Sequence, residues 1–120
     1  SGGQQQRTWI AMALAQQAGL LLLDEPTTYL DWGYQLETLE LLRELHSEQG
    51  LSVLMSLHEL NQAARYADQL VVMREGHLIC QGSPAEVLKR ELIAGVFGVD
   101  ASISRDDDGY HYALARGTAR

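Results

Sequence analysis

Cysteine occurs once, as Cys80, so neither an internal disulfide nor a cysteine-built metal site is open to the chain. A lone cysteine of this kind packs as a small hydrophobe, and Cys80 is expected half-buried in a strand. Positive charge is scarce too. Nine lysines and arginines stand against 16 acids, for a net charge of −7, and they are too scattered to form a basic stripe along a phosphate backbone. That speaks against nucleic acid as a partner. No apolar run approaches the length needed to cross a bilayer, and the first residues lack the charged and apolar regions of a signal peptide. The expectation is a soluble, cytoplasmic protein. Lysine appears only at Lys89, in VLKRE, so the phosphate-gripping pattern G-x-x-x-x-G-K-[ST] has no match. Internal repeats and low-complexity linkers are also missing.

What is present is the composition of an ordinary folded protein: 46% of the 120 residues are apolar and 21% are charged, enough for one domain with a core. From Gly3 to Gln17 the chain is rich in Ala, Gln, Leu and Met and stops at Gly19, which predicts a helix. Leu20 to Leu23 is an unbroken apolar run ending in Asp24, as in a strand buried on both faces of a parallel sheet. Asp31 is placed to cap a second helix ending near Gln49, with leucines at 36, 39, 41, 42 and 45 at helical spacing and Gly50 as its stop. LSVLMSL, residues 51 to 57, predicts a second buried strand, and LNQAARYA, residues 60 to 67, a short helix.

QLVVMRE and HLICQG read as paired strands joined by a tight turn at Glu75-Gly76. Ser83-Pro84-Ala85-Glu86 is a helix start with three agreeing signals: an N-cap serine, proline at the first helical position, and glutamate three residues after the cap. The helix or helix pair it opens runs to about Phe97. ASISRDDDGYHYAL then alternates around Asp106-Asp107-Asp108-Gly109, which predicts a terminal hairpin. Strands alternating with helices predict an α/β fold, a parallel sheet flanked by helices.

Three stretches carry chemistry. In LLLLDE, Asp24 and Glu25 stand at the carboxyl end of a buried strand, where open α/β sheets bind ligands. In a phosphate-transfer site the first acid would hold Mg2+, usually through water, and the second would serve as general base toward the attacking water. The same residues would also suit a solvated strand end before the turn at Pro26. In LMSLHEL, His58 follows the second apolar run and could touch a γ-phosphate and orient the water. A lone histidine is more often structural, but acid, acid and histidine on one sheet edge strengthen one another. At the start of the chain, Ser1 with Gln4 fits a capping box, which puts Gly2 and Gly3 in a first helical turn whose N–H groups suit an anion.

Together these residues resemble the ABC ATPases. SGGQQQR is similar to their signature motif without the hydrophobic residue that precedes the serine. LLLLDEP resembles their Walker B, TYLD (28 to 31) their D-loop, and His58 their switch histidine, in the same order and at the same spacing. The resemblance covers Ser1 to about Val99. DEPTTYLD, LHELNQAARYADQLVVMREGHLICQGSPAEVL and ELIAGVFGVD look most like the ATP-binding subunits of bacterial iron-siderophore, haem and cobalamin importers. Tyr29, where a small residue is commoner in the family at large, and Ser56, near the switch, depart from the pattern.

The resemblance implies the P-loop NTPase fold of an ABC ATPase, with ATP and Mg2+ as cofactors. It implies that Asp24 attends Mg2+, Glu25 is the general base and His58 contacts the γ-phosphate. Asp31 would communicate across a dimer, and Ser1, Gly2, Gly3 and Gln4 would bind ATP held by the opposite subunit of a head-to-tail homodimer. Transmembrane permease subunits would be direct partners and a periplasmic or lipoprotein substrate-binding protein an indirect one, with the ATPase peripheral on the cytoplasmic face of the inner membrane. Because the resemblance begins at the signature motif, the Walker A strand and loop are expected in a longer protein. Residues 1–99 would then be the C-terminal part of the nucleotide-binding domain and 100–120 a tail, inactive without the rest. An SMC-type DNA-maintenance ATPase lobe is the alternative enzyme class; it would need an upstream coiled coil and a basic surface, which the acidic charge speaks against. A module that only docks on a partner's ATP is the non-enzymatic alternative.

Overall fold

The computed structural model describes residues 19–119. The chain divides into two compact units, Ser1–His58 and Glu59–Arg120. The helix expected over residues 3 to 17, and the signature residues Ser1, Gly2, Gly3 and Gln4, lie outside the described residues.

In the first unit the described elements are strand β1 (Leu20–Leu23), helix α1 (Trp32–Gln49) and strand β2 (Ser52–Met55). The strands pair in parallel, from Leu20 opposite Ser52 to Leu23 opposite Met55, so a helical crossover is required between them. Leu42 and Leu45 of α1, with Leu51, form the core on which Leu21, Leu23, Val53 and Met55 pack. Burial of each leucine contributes on the order of 1.5–3 kcal/mol. Helix α1 ends where the sequence predicts: Gly50 adopts a left-handed φ of 70°, its N–H donates to the His46 carbonyl, and the Leu51 N–H reaches the Leu45 carbonyl. Asp31 occupies the N-cap position, but its side chain makes no cap hydrogen bond. Its backbone carbonyl accepts the first helical bond, from the Gln35 N–H.

One expectation is corrected here. The sequence predicts β1 buried on both faces and β2 as a second buried strand, yet Leu20, Leu22 and Leu54 are 54%, 64% and 61% exposed. Side chains alternate along a strand, and α1 covers one face only, so every second leucine is left in the open.

The second unit begins with helix α2 (Leu60–Tyr66), followed by strands β3 (Leu70–Arg74) and β4 (His77–Gly82), helices α3 (Pro84–Val87) and α4 (Arg90–Phe97), and strands β5 (Val99–Arg105) and β6 (His111–Thr118). β3 and β4 are antiparallel, with Ile79 as the extra residue of a bulge. Their turn residues Glu75 and Gly76 both have positive φ, 52° and 78°, as a tight primed turn requires. β5 and β6 form the expected terminal hairpin. Every described sheet has two strands, and only the β1–β2 pair is parallel, so the class is α/β while the parallel sheet among the described residues is limited to that pair.

Ala64, Leu70, Val72, Val87 and Leu88 make the core of this unit, with Cys80 partly buried against it. Ser83 opens α3 with both bonds of a capping box; its amide and hydroxyl hold the Glu86 carboxyl below the usual carboxylate range, aided by Lys89 and opposed by desolvation. Helix α2 is capped by the Glu59 carboxylate, which accepts from the Asn61 and Gln62 N–H groups. The acidic turn of the hairpin is organised by Asp106. Its Oδ1 accepts from the Asp108 and Tyr110 N–H groups, and its Oδ2 pairs with Arg65 Nη1 at 2.8 Å. The Arg65 guanidinium also lies 4.5 Å from the Tyr110 ring centroid. The Tyr110 amide, working against desolvation and helped by the Asp108 amide and Arg65, holds the Asp106 carboxyl below its ordinary value. Desolvation pulls the Arg65 guanidinium down, but Asp108 and Asp106 outweigh it and leave it above the usual arginine value.

Candidate functional site

The parallel register sets the site. Beyond the last rung, Leu23 opposite Met55, the Ser56 N–H donates to the Leu23 carbonyl at 3.1 Å. The two strands therefore release their chains side by side, Asp24-Glu25 from β1 and Ser56-Leu57-His58 from β2. The Ser56 hydroxyl donates to Asp24 Oδ1 at 2.7 Å and accepts from the Glu25 N–H at 2.8 Å. His58 Nε2 stands 2.5 Å from Glu25 Oε1, and the Thr28 hydroxyl reaches Glu25 Oε2 at 3.4 Å.

Glu25 holds a left-handed φ of 49°. For a residue with a Cβ this conformation costs about 1–2 kcal/mol, and such outliers gather at functional sites. The turn that follows is closed by the Thr28 N–H on the Glu25 carbonyl and the Leu30 N–H on the Thr27 carbonyl. Pro26 and Thr27 are buried beneath it, so the loop is anchored while its acid stays accessible. The Glu25 side chain is 37% exposed and that of His58 is 77% exposed. A ligand arriving from solvent can reach both.

Of the residues singled out from the sequence, the structure brings Asp24, Glu25 and His58 to one edge. Asp31 lies exposed at the start of α1. Ser1, Gly2, Gly3 and Gln4 lie outside the described residues. Ser56 stood out in the sequence only as a departure from pattern, and its bridging of Asp24 and Glu25 was missed. The signal that could have found it is register: pairing the apolar runs end to end places position 56 beside position 24.

Two parallel strands ending in an acid pair and a histidine, joined through a helix, form the carboxyl edge of an α/β sheet, the edge at which such sheets bind ligands. Among solved structures the chain is similar to an inward-facing metal-chelate type ABC transporter, with a TM-score of 0.83 and 28% identity over 96% of this chain and 47% of that one. It is also similar to the ATP-binding cassette MJ0796, a dimer in a post-hydrolysis state bound to ADP and Pi, with a TM-score of 0.60 and 34% identity over 70% of this chain and 36% of that one. The fold is thus that of an ABC ATPase domain, a P-loop NTPase.

Sequence comparison points to the same class. An ABC transporter model matches residues 1–28. The chain is 51% identical over 106 residues to the ferric enterobactin transport ATP-binding protein FepC of Escherichia coli (strain K12), across 88% of this chain and 39% of FepC. Over the matched residues the chain is similar to ATP-binding proteins of ABC transporters, and it spans less than half the length of the relatives it matches.

Proposed function

We propose that this chain is the part of an ABC importer's ATP-binding subunit that carries the water-activating carboxylate, and that the whole protein hydrolyses ATP to power uptake of an iron-siderophore or a related metal chelate. The observation that carries the reading is the meeting of Glu25 and His58 beside Asp24, at the ends of adjacent parallel strands. The name of FepC, a ferric enterobactin transport protein, supports an iron-chelate cargo.

In this reading the oxygen of a water attacks the γ-phosphorus while its proton passes to the Glu25 carboxylate. The bond from the γ-phosphorus to its bridging oxygen breaks, leaving ADP and inorganic phosphate. In this structure Nε2 of His58 pairs with the Glu25 carboxylate; turned to the γ-phosphate, the same Nε2 proton steadies the developing charge. Asp24 attends Mg2+, usually through water. The donor set fits that ion, because magnesium keeps several waters and takes one or two carboxylates plus phosphate oxygens, and the exposed Asp24 carboxylate offers one. When bound, the ion neutralises charge on the phosphates.

The remaining roles follow the family resemblance. Ser1, Gly2, Gly3 and Gln4 meet the γ-phosphate of ATP held by the opposite subunit of a homodimer, and Asp31 communicates across that dimer. Residues 1–99 belong to the nucleotide-binding domain and 100–120 form its tail. Permease subunits couple closure of the dimer to transport, and a substrate-binding protein delivers the cargo. No helix among the described residues is long and apolar enough to cross a membrane, which is compatible with a subunit docked on the cytoplasmic face of the inner membrane.

The test is Glu25→Gln in the complete protein. ATP binding should persist and an ATP-bound dimer should accumulate, while hydrolysis falls by about 10²–10⁴-fold. Loss of ATP binding would instead assign Glu25 to holding the nucleotide.

A further inference from the structure

Ser56 sits between the two acids, and its hydroxyl does two things at once. A serine hydroxyl carries one proton and two lone pairs. The proton goes to Asp24 Oδ1 at 2.7 Å, and a lone pair receives the Glu25 N–H at 2.8 Å. The first bond fixes how the Asp24 carboxylate is turned. The second satisfies the backbone of a residue held at a φ of 49°, where a bonded N–H helps to retain an unfavourable conformation. Because the Ser56 N–H also extends the ladder to the Leu23 carbonyl, the hydroxyl is mounted on the sheet and not on a mobile loop.

We infer that Ser56 is a positioning residue: its hydroxyl sets the Asp24 carboxylate for the metal ion and holds the Glu25 backbone in register with it. The inference rests on the reading of Asp24 and Glu25 under Proposed function. Hydrogen-bonding partners of groups that serve a metal are worth about 10–100-fold in metal affinity, so the consequence is measurable without turnover.

The experiment is equilibrium binding of a fluorescent ATP analogue to the complete protein, in EDTA and at stepped Mg2+ concentrations. It compares the unmodified protein with Ser56→Thr, which keeps a hydroxyl, and Ser56→Val, which has threonine's shape without one; Ser56→Ala is a second hydroxyl-less variant should valine not be accommodated. Ser56→Thr should need Mg2+ within about twofold of the unmodified protein, and Ser56→Val and Ser56→Ala should need about tenfold more for the same tightening. Binding in EDTA should be equal for all. An unchanged Mg2+ requirement in the hydroxyl-less variants, or an equal loss in Thr and Val, would overturn the inference and leave the functional reading standing. Failure of the unmodified protein to bind the analogue at any Mg2+ concentration would overturn the functional reading itself.

Discussion

Glu25 Oε1 and His58 Nε2 stand 2.5 Å apart although one residue follows β1 and the other follows β2. The contact exists because two parallel strands end level with one another and bring both side chains to the same edge. Ser56 ties the same two chain segments together one step closer to the sheet.

His58→Ala should lower phosphate release by the complete protein about 10²–10³-fold while leaving ATP affinity within severalfold. Steady-state turnover and equilibrium binding on the same preparation check this. Combined with Glu25→Gln, the two losses should be far from additive, since groups acting as a unit fail together. Independent, additive losses would separate the histidine from the glutamate.

Stability of the second unit should fall on acidification. Asp106 and Glu86 are both held below the usual carboxylate range, and in the unfolded chain they return to about 4. Between those values the folded state binds fewer protons than the unfolded one. Their contribution is therefore complete above about pH 4 and disappears as pH falls through the folded values. The raised Arg65 value acts in the opposite sense, with its contribution lost only as pH rises beyond the arginine range. Denaturant unfolding followed from pH 6 to pH 2 should show the decline, and Asp106→Asn should flatten it.

Gly50→Ala should destabilise the first unit by about 1–2 kcal/mol, through the left-handed backbone alone. A Cβ at this position meets no atom within 4 Å, while φ is 70°. Gly50→Asn should cost less, because asparagine tolerates this region better. Leu42→Ala, which empties a core site 2% exposed, should cost about 2–5 kcal/mol. Urea unfolding of the three variants gives the ranking.

Replacing Asn61 tests the hairpin. Its amide donates to the Ala113 carbonyl at 3.0 Å and accepts from the Ala113 N–H at 2.7 Å. Asn61→Ala should cost about 1–3 kcal/mol. Asn61→Asp should not rescue it, because a carboxylate accepts from the N–H but faces the carbonyl without a proton to give. Equal stability of Asp and Asn at neutral pH would deny the second bond.

Local signals explain what the sequence could disclose. The start at Ser83 was legible because the capping residues are three apart in the chain, and the stop at Gly50 because only the left-handed conformation was required of it. The acid pair and His58 were legible as strand-end residues. Glu59 was not foreseen as the cap of α2, since a glutamate cap depends on how one long side chain folds back. Ser56 was missed because its partners are 31 and 32 positions away and only register brings them together. The exposure of Leu20, Leu22 and Leu54 was missed for a related reason: an apolar run records what a strand can bury and not which layers cover it. In the hairpin, the alternation predicted the strands, while the Arg65 clamp on Asp106 depends on packing against a distant helix.

The paired hydrogen bonds of Asn61 have a consequence for how this protein meets other chains. An asparagine amide carries the same donor and acceptor as a peptide group, so at Ala113 it stands in for one residue of a neighbouring strand. The outer side of β6 is thereby plugged at that rung, and an incoming strand would have to displace the amide before it could zip along the edge. A single side chain on α2 thus takes up the edge groups of Ala113 that an added strand would need.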